Sequence, residues 1–168
     1  MSDTSPLVVT IRQATPDDAE RIVRAYLDSA EQHARLDPER YAVPDVQTVV
    51  ARYREGRQHA HDTSAEGVTF VAELGREIVG FVDARLDRSP DAMHREMTYC
   101  HIVEIAVTAA RQGHGVGAQL LRAAEDWGRA HGATFASLEY LAANARASDF
   151  YQRRMGYHAA AITAIKKL

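Results

Sequence analysis

The sequence predicts a single α+β domain spanning residues 1–168, with a mixed, mostly antiparallel sheet of about six or seven strands flanked by about four helices. Three observations predict it. Strand-like runs crowd the middle of the chain, at Val68–Leu74, Glu77–Leu86 and Met97–Val107. Amphipathic helical stripes lie before and after them, and no repeat, low-complexity tract or Ser/Gly/Pro linker divides the 168 residues.

The elements follow in order. Leu7–Ile11 is a short β-branched run, and Thr15-Pro16-Asp17-Asp18 reads as an N-cap followed by proline at the first helical position. Ala19, Ile22, Val23, Tyr26, Leu27 and Ala30 then recur at helical spacing. Pro38 and Pro44 break the chain, and Asp45 can cap a second helix with Val46, Val49, Val50 and Tyr53 on one face. Gly75-Arg76 joins the first two central runs as a β-hairpin. Met97–Val107 is the third strand, and the helix after it carries Val116, Leu120 and Trp127 on one stripe and stops at Gly132. Thr134–Tyr140 is the next strand, Asn144 caps a short helix through Arg154, and Tyr157–Ile165 is expected as the last strand.

Composition narrows the function classes. With 46% apolar residues, 26% charged residues and a net charge of −3, the chain is an ordinary globular domain, and concentrated positive charge for nucleic acid is absent. Cys100 is the only cysteine, so no intrachain disulfide or cysteine zinc cage can form, and a reducing cytoplasmic compartment is expected. It reads as a small core residue. Met1–Pro6 is polar, and no apolar run reaches the ~18 residues of a membrane span, so neither export signal nor membrane anchor is expected. His59-x-His61 lacks the i, i+4 spacing of a helical metal pair, and no metal is expected.

Chemistry concentrates in Val103–Leu121, where a strand ends, a short turn follows, and Gly113, Gly115 and Gly117 open an amphipathic helix. Glycines let the backbone approach a ligand, and the first helical N–H groups lack internal partners, which together make a phosphate site. A Walker A loop is excluded because no Gly-Lys-Ser/Thr follows. Gly113-x-Gly115-x-x-Ala118, with Glu139 further on, formally fits a dinucleotide fingerprint and leaves an oxidoreductase as a rival reading. Too little chain remains after it for the further strand-helix units that fold needs.

The same residues read as Gln112-x-x-Gly115-x-Gly117, which resembles the coenzyme A pyrophosphate loop of the GNAT superfamily of N-acetyltransferases. The preceding Val103-Glu104-Ile105-Ala106-Val107 and the later Asn144-x-x-Ala147-x-x-x-Tyr151 helix with Gly156-Tyr157 match that family in order. One departure stands out: four residues, Gln152–Met155, separate Tyr151 from Gly156, where the family usually has three.

The resemblance implies an acetyltransferase that moves acetyl from acetyl-CoA, as cosubstrate, to a primary amine on a small molecule or peptide. It implies that the backbone of Ile105, Ala106 and Val107 pairs with pantetheine, and that the amides of Gln112, Gly113, His114, Gly115, Val116, Gly117 and Ala118 hold the pyrophosphate. Asn144 contacts pantetheine or caps its helix, or both. Tyr151 is the implied acid for the departing thiolate, with a strand amide near Ile105 for the oxyanion. Glu104 and Glu139 are both candidate bases, and Glu104 is preferred because apolar neighbours raise a carboxyl pKa. The segment His33–Tyr41 falls between the first two helices, where the resemblance implies part of the acceptor site; Asp37 and Glu39 either attract a cationic amine there or, the preferred reading, stand in a solvated loop. Near the C-terminus, Arg146, Arg153, Arg154, Lys166 and Lys167 outnumber Asp149 and would favour an anionic cofactor. Edge strands there are compatible with a homodimer. The extra residue after Tyr151 keeps open a coenzyme A-binding module without catalysis.

Overall fold

The computed structural model describes residues 8–62, 67–89 and 91–167, with backbone alone over 55–62. Met1–Leu7, including the expected start of the first strand, lies outside the described residues, as do Leu168 and the side chains of His59 and His61. In chain order come β1 (Val9–Gln13), α1 (Ala19–Leu36), α2 (Val46–Asp62), β2 (Gly67–Leu74), β3 (Glu77–Arg88), β4 (Thr98–Val107), α3 (Val116–Ala130), β5 (Phe135–Leu138) and α4 (Ala145–Ser148). One sheet runs β1-β2-β3-β4-β5. Its first three pairings are antiparallel and β4–β5 is parallel, which is the mixed character the sequence predicts.

The sheet has five strands among the described residues, not six or seven. Tyr157–Ile165, expected as a further strand, is irregular, and from His158 to Lys167 every residue is exposed. The physical reason is compositional. Ala159, Ala160, Ala161 and Ala164 are poor strand formers that offer little surface to pack, so Ile162 and Thr163 have no neighbours to reinforce them. β5 is likewise shorter than the expected Thr134–Tyr140.

Local chemistry sets the helix boundaries. The Asp18 carboxylate reaches back to the Thr15 amide at 2.8 Å, with Pro16 opening the turn before α1. The Asp45 carboxylate accepts from the Thr48 amide at 2.9 Å and caps α2. Gly132, at φ +88°, ends α3, and the Ala133 amide closes on the Gly128 carbonyl at 2.9 Å.

Each sheet face carries its own core. Val71, Ile78, Phe81 and Ala106 pack against Ile22, Val23, Val49, Val50 and Tyr53 of α1 and α2. On the other face Val79, Val82, Cys100 and Ile102 meet Leu120, Leu121 and Ala124 of α3. Fully buried side chains of this size each contribute about 1.5–3 kcal/mol. Cys100 belongs to this packing: it is 1% exposed, and a Cβ added at Gly128 would lie 2.4 Å from its Cβ. Burial pushes its thiol up to about 11.

Candidate active site

The site begins where β4 and β5 part. Their pairing runs only from Tyr99↔Phe135 to Ile102↔Leu138, whereas β3 follows β4 as far as Val107. The β3–β4 register shifts between Asp83 and Ala84, opposite Glu104 and Ile102, so Val103 is bulged out where the strands separate. The Thr108 amide donates to the Val79 carbonyl at 2.9 Å. Strand alternation then turns the amides and carbonyls of Ile105 and Val107 away from β3, into the gap.

A cleft of about 560 Å³ fills that gap. Ile102–Val107 form one wall and Leu138, Glu139 and Tyr140 another. The glycine loop closes one end, Asn144–Arg154 contribute the remaining side, and Ser29, Gln32 and His33 of α1 reach in from across the sheet.

At the loop, Gly113 and Gly115 have φ of +84° and +81°, which favours glycine at both positions. α3 starts at Val116, so the amides of Val116, Gly117 and Ala118 open the helix without i−4 partners inside it. The Gln112 side chain locks the loop in place: its amide donates to the Val107 carbonyl at 3.0 Å, and its oxygen accepts from Arg146 at 2.6 Å. His114 is exposed and folds back on the Gln112 carbonyl, so its side chain does not face the cleft end. Arg111, Arg146 and Arg154 line the cleft, Arg146 being held beside the loop by Gln112, and give it positive charge for an anionic ligand.

Asn144 caps α4 by accepting from the Ala147 amide at 3.0 Å while also lining the cleft, so its two expected roles coexist geometrically. α4 continues directly into a π-helical turn over Asp149–Arg154, where the Met155 amide bonds the Phe150 carbonyl five residues back at 3.1 Å. The turn covers most of the four-residue spacing between Tyr151 and Gly156, which is one longer than the resemblance leads one to expect. Tyr151 is buried at 8% exposure among Tyr140, Phe150 and Tyr157, with ring centroids 5.1–6.1 Å away. Burial first, then Tyr140, pushes its phenol up to about 12, so it remains protonated at neutral pH.

Glu104 and Glu139 both line the cleft, in different surroundings. Glu139 is exposed at the end of β5. Glu104 sits beneath α1 and α2, where burial first and the charge of Asp83 second push its carboxyl up to about 7. Arg52 and a 3.4 Å hydrogen bond from the Tyr53 hydroxyl pull the other way.

The structure corrects the reading of His33–Tyr41. α1 extends through Leu36, so His33 is helical and bonds the Ser29 carbonyl at 2.9 Å. Asp37 pairs with Arg40 and Glu39 with Lys167 at the surface, in keeping with the solvated-loop reading of these two acids. Sequence reasoning missed Tyr53 and Asp83, which stand beside Glu104 behind the cleft, and Asp28 of α1, whose carboxylate accepts from the Ala109 amide ahead of the loop. Asp83 had a visible signal: a carboxylate inside the apolar run Val79–Ala84. Among the described residues no cluster of His, Cys, Asp and Glu could hold a metal, and no helix is long and apolar enough to cross a membrane.

The chain resembles known proteins in both sequence and fold. The model of the acetyltransferase (GNAT) family matches residues 27–157. A point mutant of the BH1408 protein from Bacillus halodurans is similar with a TM-score of 0.83 at 21% identity, over 95% of this chain and 99% of that one. The aminoglycoside acetyltransferase AAC(6')-Iy, solved with a CoA-containing bisubstrate analogue, gives 0.67 at 20% identity, over 96% and 99%. An aminoglycoside acetyltransferase from an uncultured soil metagenomic sample, in complex with sisomicin, gives 0.63 at 16%, over 95% and 96%. No curated protein matches the chain. At these identities the solved structures show a shared fold and nothing finer. The antiparallel order of β1 to β4 is also incompatible with the parallel sheet of a dinucleotide domain. Matched by the family's model over most of its length, the chain belongs to the GNAT family of acetyltransferases.

Proposed function

We propose that this protein transfers an acetyl group from acetyl-CoA to a primary amine, directly and within a ternary complex. The observation that carries the reading is one cleft that joins a glycine loop, an open strand edge, a half-buried carboxylate and a buried tyrosine. The loop amides and neighbouring arginines suit the pyrophosphate, and the β4 edge at Ile105 and the Val107 amide suits pantetheine as an added strand, the Val107 carbonyl being taken by Gln112.

Glu104 takes a proton from the acceptor ammonium, directly or through water. The freed lone pair attacks the thioester carbonyl, whose oxygen gains negative charge and is met by a β4 amide near Ile105. The tetrahedral adduct then collapses with cleavage of the carbon–sulfur bond as the Tyr151 hydroxyl gives its proton to the leaving thiolate; the second proton shed by the acceptor nitrogen restores the Tyr151 hydroxyl through water, and Glu104 releases the first to solvent. Glu104 is the base in this scheme because it is half-buried beside Asp83, whereas Glu139 is exposed. The acceptor is an amine-bearing small molecule or peptide. The aminoglycoside enzymes among the structural neighbours make aminoglycosides one class to assay.

The π-helical turn supports catalysis over a coenzyme A-binding module without it, since Tyr151 lines the cleft despite the longer spacing to Gly156. The test is thiol release from acetyl-CoA by the purified protein with a panel of aminoglycosides, polyamines, amino acids and peptides. Release that needs both acetyl-CoA and an amine supports the reading; absence of tight coenzyme A binding overturns it.

A further inference from the structure

Glu104 does not stand alone. Asp83 of β3 is its direct cross-strand partner, and both side chains lie on the face covered by α1 and α2. Tyr53 of α2 comes down between them, with its hydroxyl 3.2 Å from Asp83 Oδ2 and 3.4 Å from Glu104 Oε2. Thr69 of β2 donates to the other Asp83 oxygen, Oδ1, at 2.6 Å. Arg52 of α2 also acts on Glu104 electrostatically, Glu104 in turn raises the phenol of Tyr26 on α1, and His33 and Glu139 line the same cleft.

The distances divide the roles. A phenol has one proton and cannot serve two carboxylates fully at once, so Tyr53 favours the nearer one. Asp83 therefore receives two hydroxyl donors, which stabilise its charged form, while Glu104 shares the longer contact. Two carboxylates paired across strands cannot both ionise freely, and the less well solvated one takes up the proton.

We propose that Asp83 and Tyr53 are positioning residues for Glu104, the three side chains forming one proton-sharing unit in which Asp83 keeps its charge and thereby makes Glu104 the proton acceptor. This rests on Glu104 being the base. The proton removed from the acceptor amine arrives on Glu104, with Asp83 as the fixed counter-charge behind it. Burial alone would also make Glu104 more basic, but it would not give Asp83 and Tyr53 opposite effects.

The experiment is a pH titration of the full-length protein carrying 13C-carboxyl-labelled glutamate, followed by NMR without substrate, with Glu104→Gln identifying the Glu104 signal. Asp83→Asn, which retains size and a Thr69 acceptor, should move the Glu104 midpoint down by about one pH unit. Tyr53→Phe should move it up, because the donor shared with both carboxylates is gone. The acid limb of kcat/KM should follow each shift. A Glu104 midpoint unchanged in folded Asp83→Asn overturns the inference, and if that variant does not fold, an unchanged or lowered midpoint in Tyr53→Phe does so. Midpoints that move while the rate limb stays fixed support the shared unit and remove Glu104 from the role of base, which separates the two failures.

Discussion

The Asp28 carboxylate accepts a hydrogen bond from the Ala109 amide at 2.7 Å, tying the middle of α1 to the short turn that carries the chain from β4 toward the glycine loop. Asp28 is buried and pairs through its other oxygen with Arg24 at 3.1 Å. Asp28→Ala leaves the amide without this acceptor, which should cost about 1–3 kcal/mol of stability. Coenzyme A affinity should fall about tenfold as the loop loosens, equivalent to about 1.4 kcal/mol. Titration calorimetry beside thermal unfolding checks both, and unchanged affinity would show that α1 does not support the loop.

Tyr151→Phe should lower kcat by about 100-fold or more while coenzyme A affinity stays within about twofold. The ring packing among Tyr140, Phe150 and Tyr157 survives that change, so the melting temperature should hardly move. Stopped assays with a saturating acceptor measure the first quantity and equilibrium binding the second. An unaltered rate removes Tyr151 from the role of acid.

With Glu104 raised to about 7, kcat/KM should climb with pH through that region and level off above it, because a base acts in its ionised form. Tyr151, near 12, should impose no basic limb in the ordinary assay range. Glu104→Gln should abolish the acidic limb and lower the plateau by about 100-fold. Persistence of the limb in that variant would transfer the role to another group, with Glu139 the first to substitute.

Acid stability should depend on the cluster at the start of α1. Asp18 is buried between Arg12 at 2.8 Å and Arg21 at 3.0 Å, and Glu73 bonds the same two arginines. Hydrogen bonds from Arg12 hold the Asp18 carboxyl well below its usual range and, with Arg21, hold Glu73 at about 2. Both folded values are depressed, so the stabilisation is complete above the unfolded values near 4 and is lost as pH falls toward 2 and below. Asp18→Asn should lower stability at neutral pH by about 2 kcal/mol and flatten that acid dependence, as denaturant melts across pH would record.

Much of this was legible in the chain itself. Thr15-Pro16, Asp45, Gly75-Arg76 and Gly132 each encode a boundary through chemistry confined to a few residues, and each boundary appears where expected. The glycine loop and the helix bearing Asn144 and Tyr151 were readable for the same reason. The sixth strand failed because pairing is non-local: a run such as Ile162-Thr163 becomes a strand only where a neighbour covers it. Tyr53 and Asp83 escaped for a related reason. Their relation to Glu104 spans three elements, and no spacing along one segment reports it.

The π-helical turn has a consequence for how freely this chain can change length. One residue inserted into an α-helix would ordinarily rotate everything beyond it by about 100°, undoing the contacts on one side or the other. Here the surplus is confined between Phe150 and Met155. Upstream, Asn144 still caps its helix; downstream, Tyr157 still places its ring against Tyr151 and its hydroxyl on Glu125 at 2.8 Å. The wider turn can work as an expansion joint: one residue more or fewer there is taken up next to the cleft without being passed on to the cleft walls.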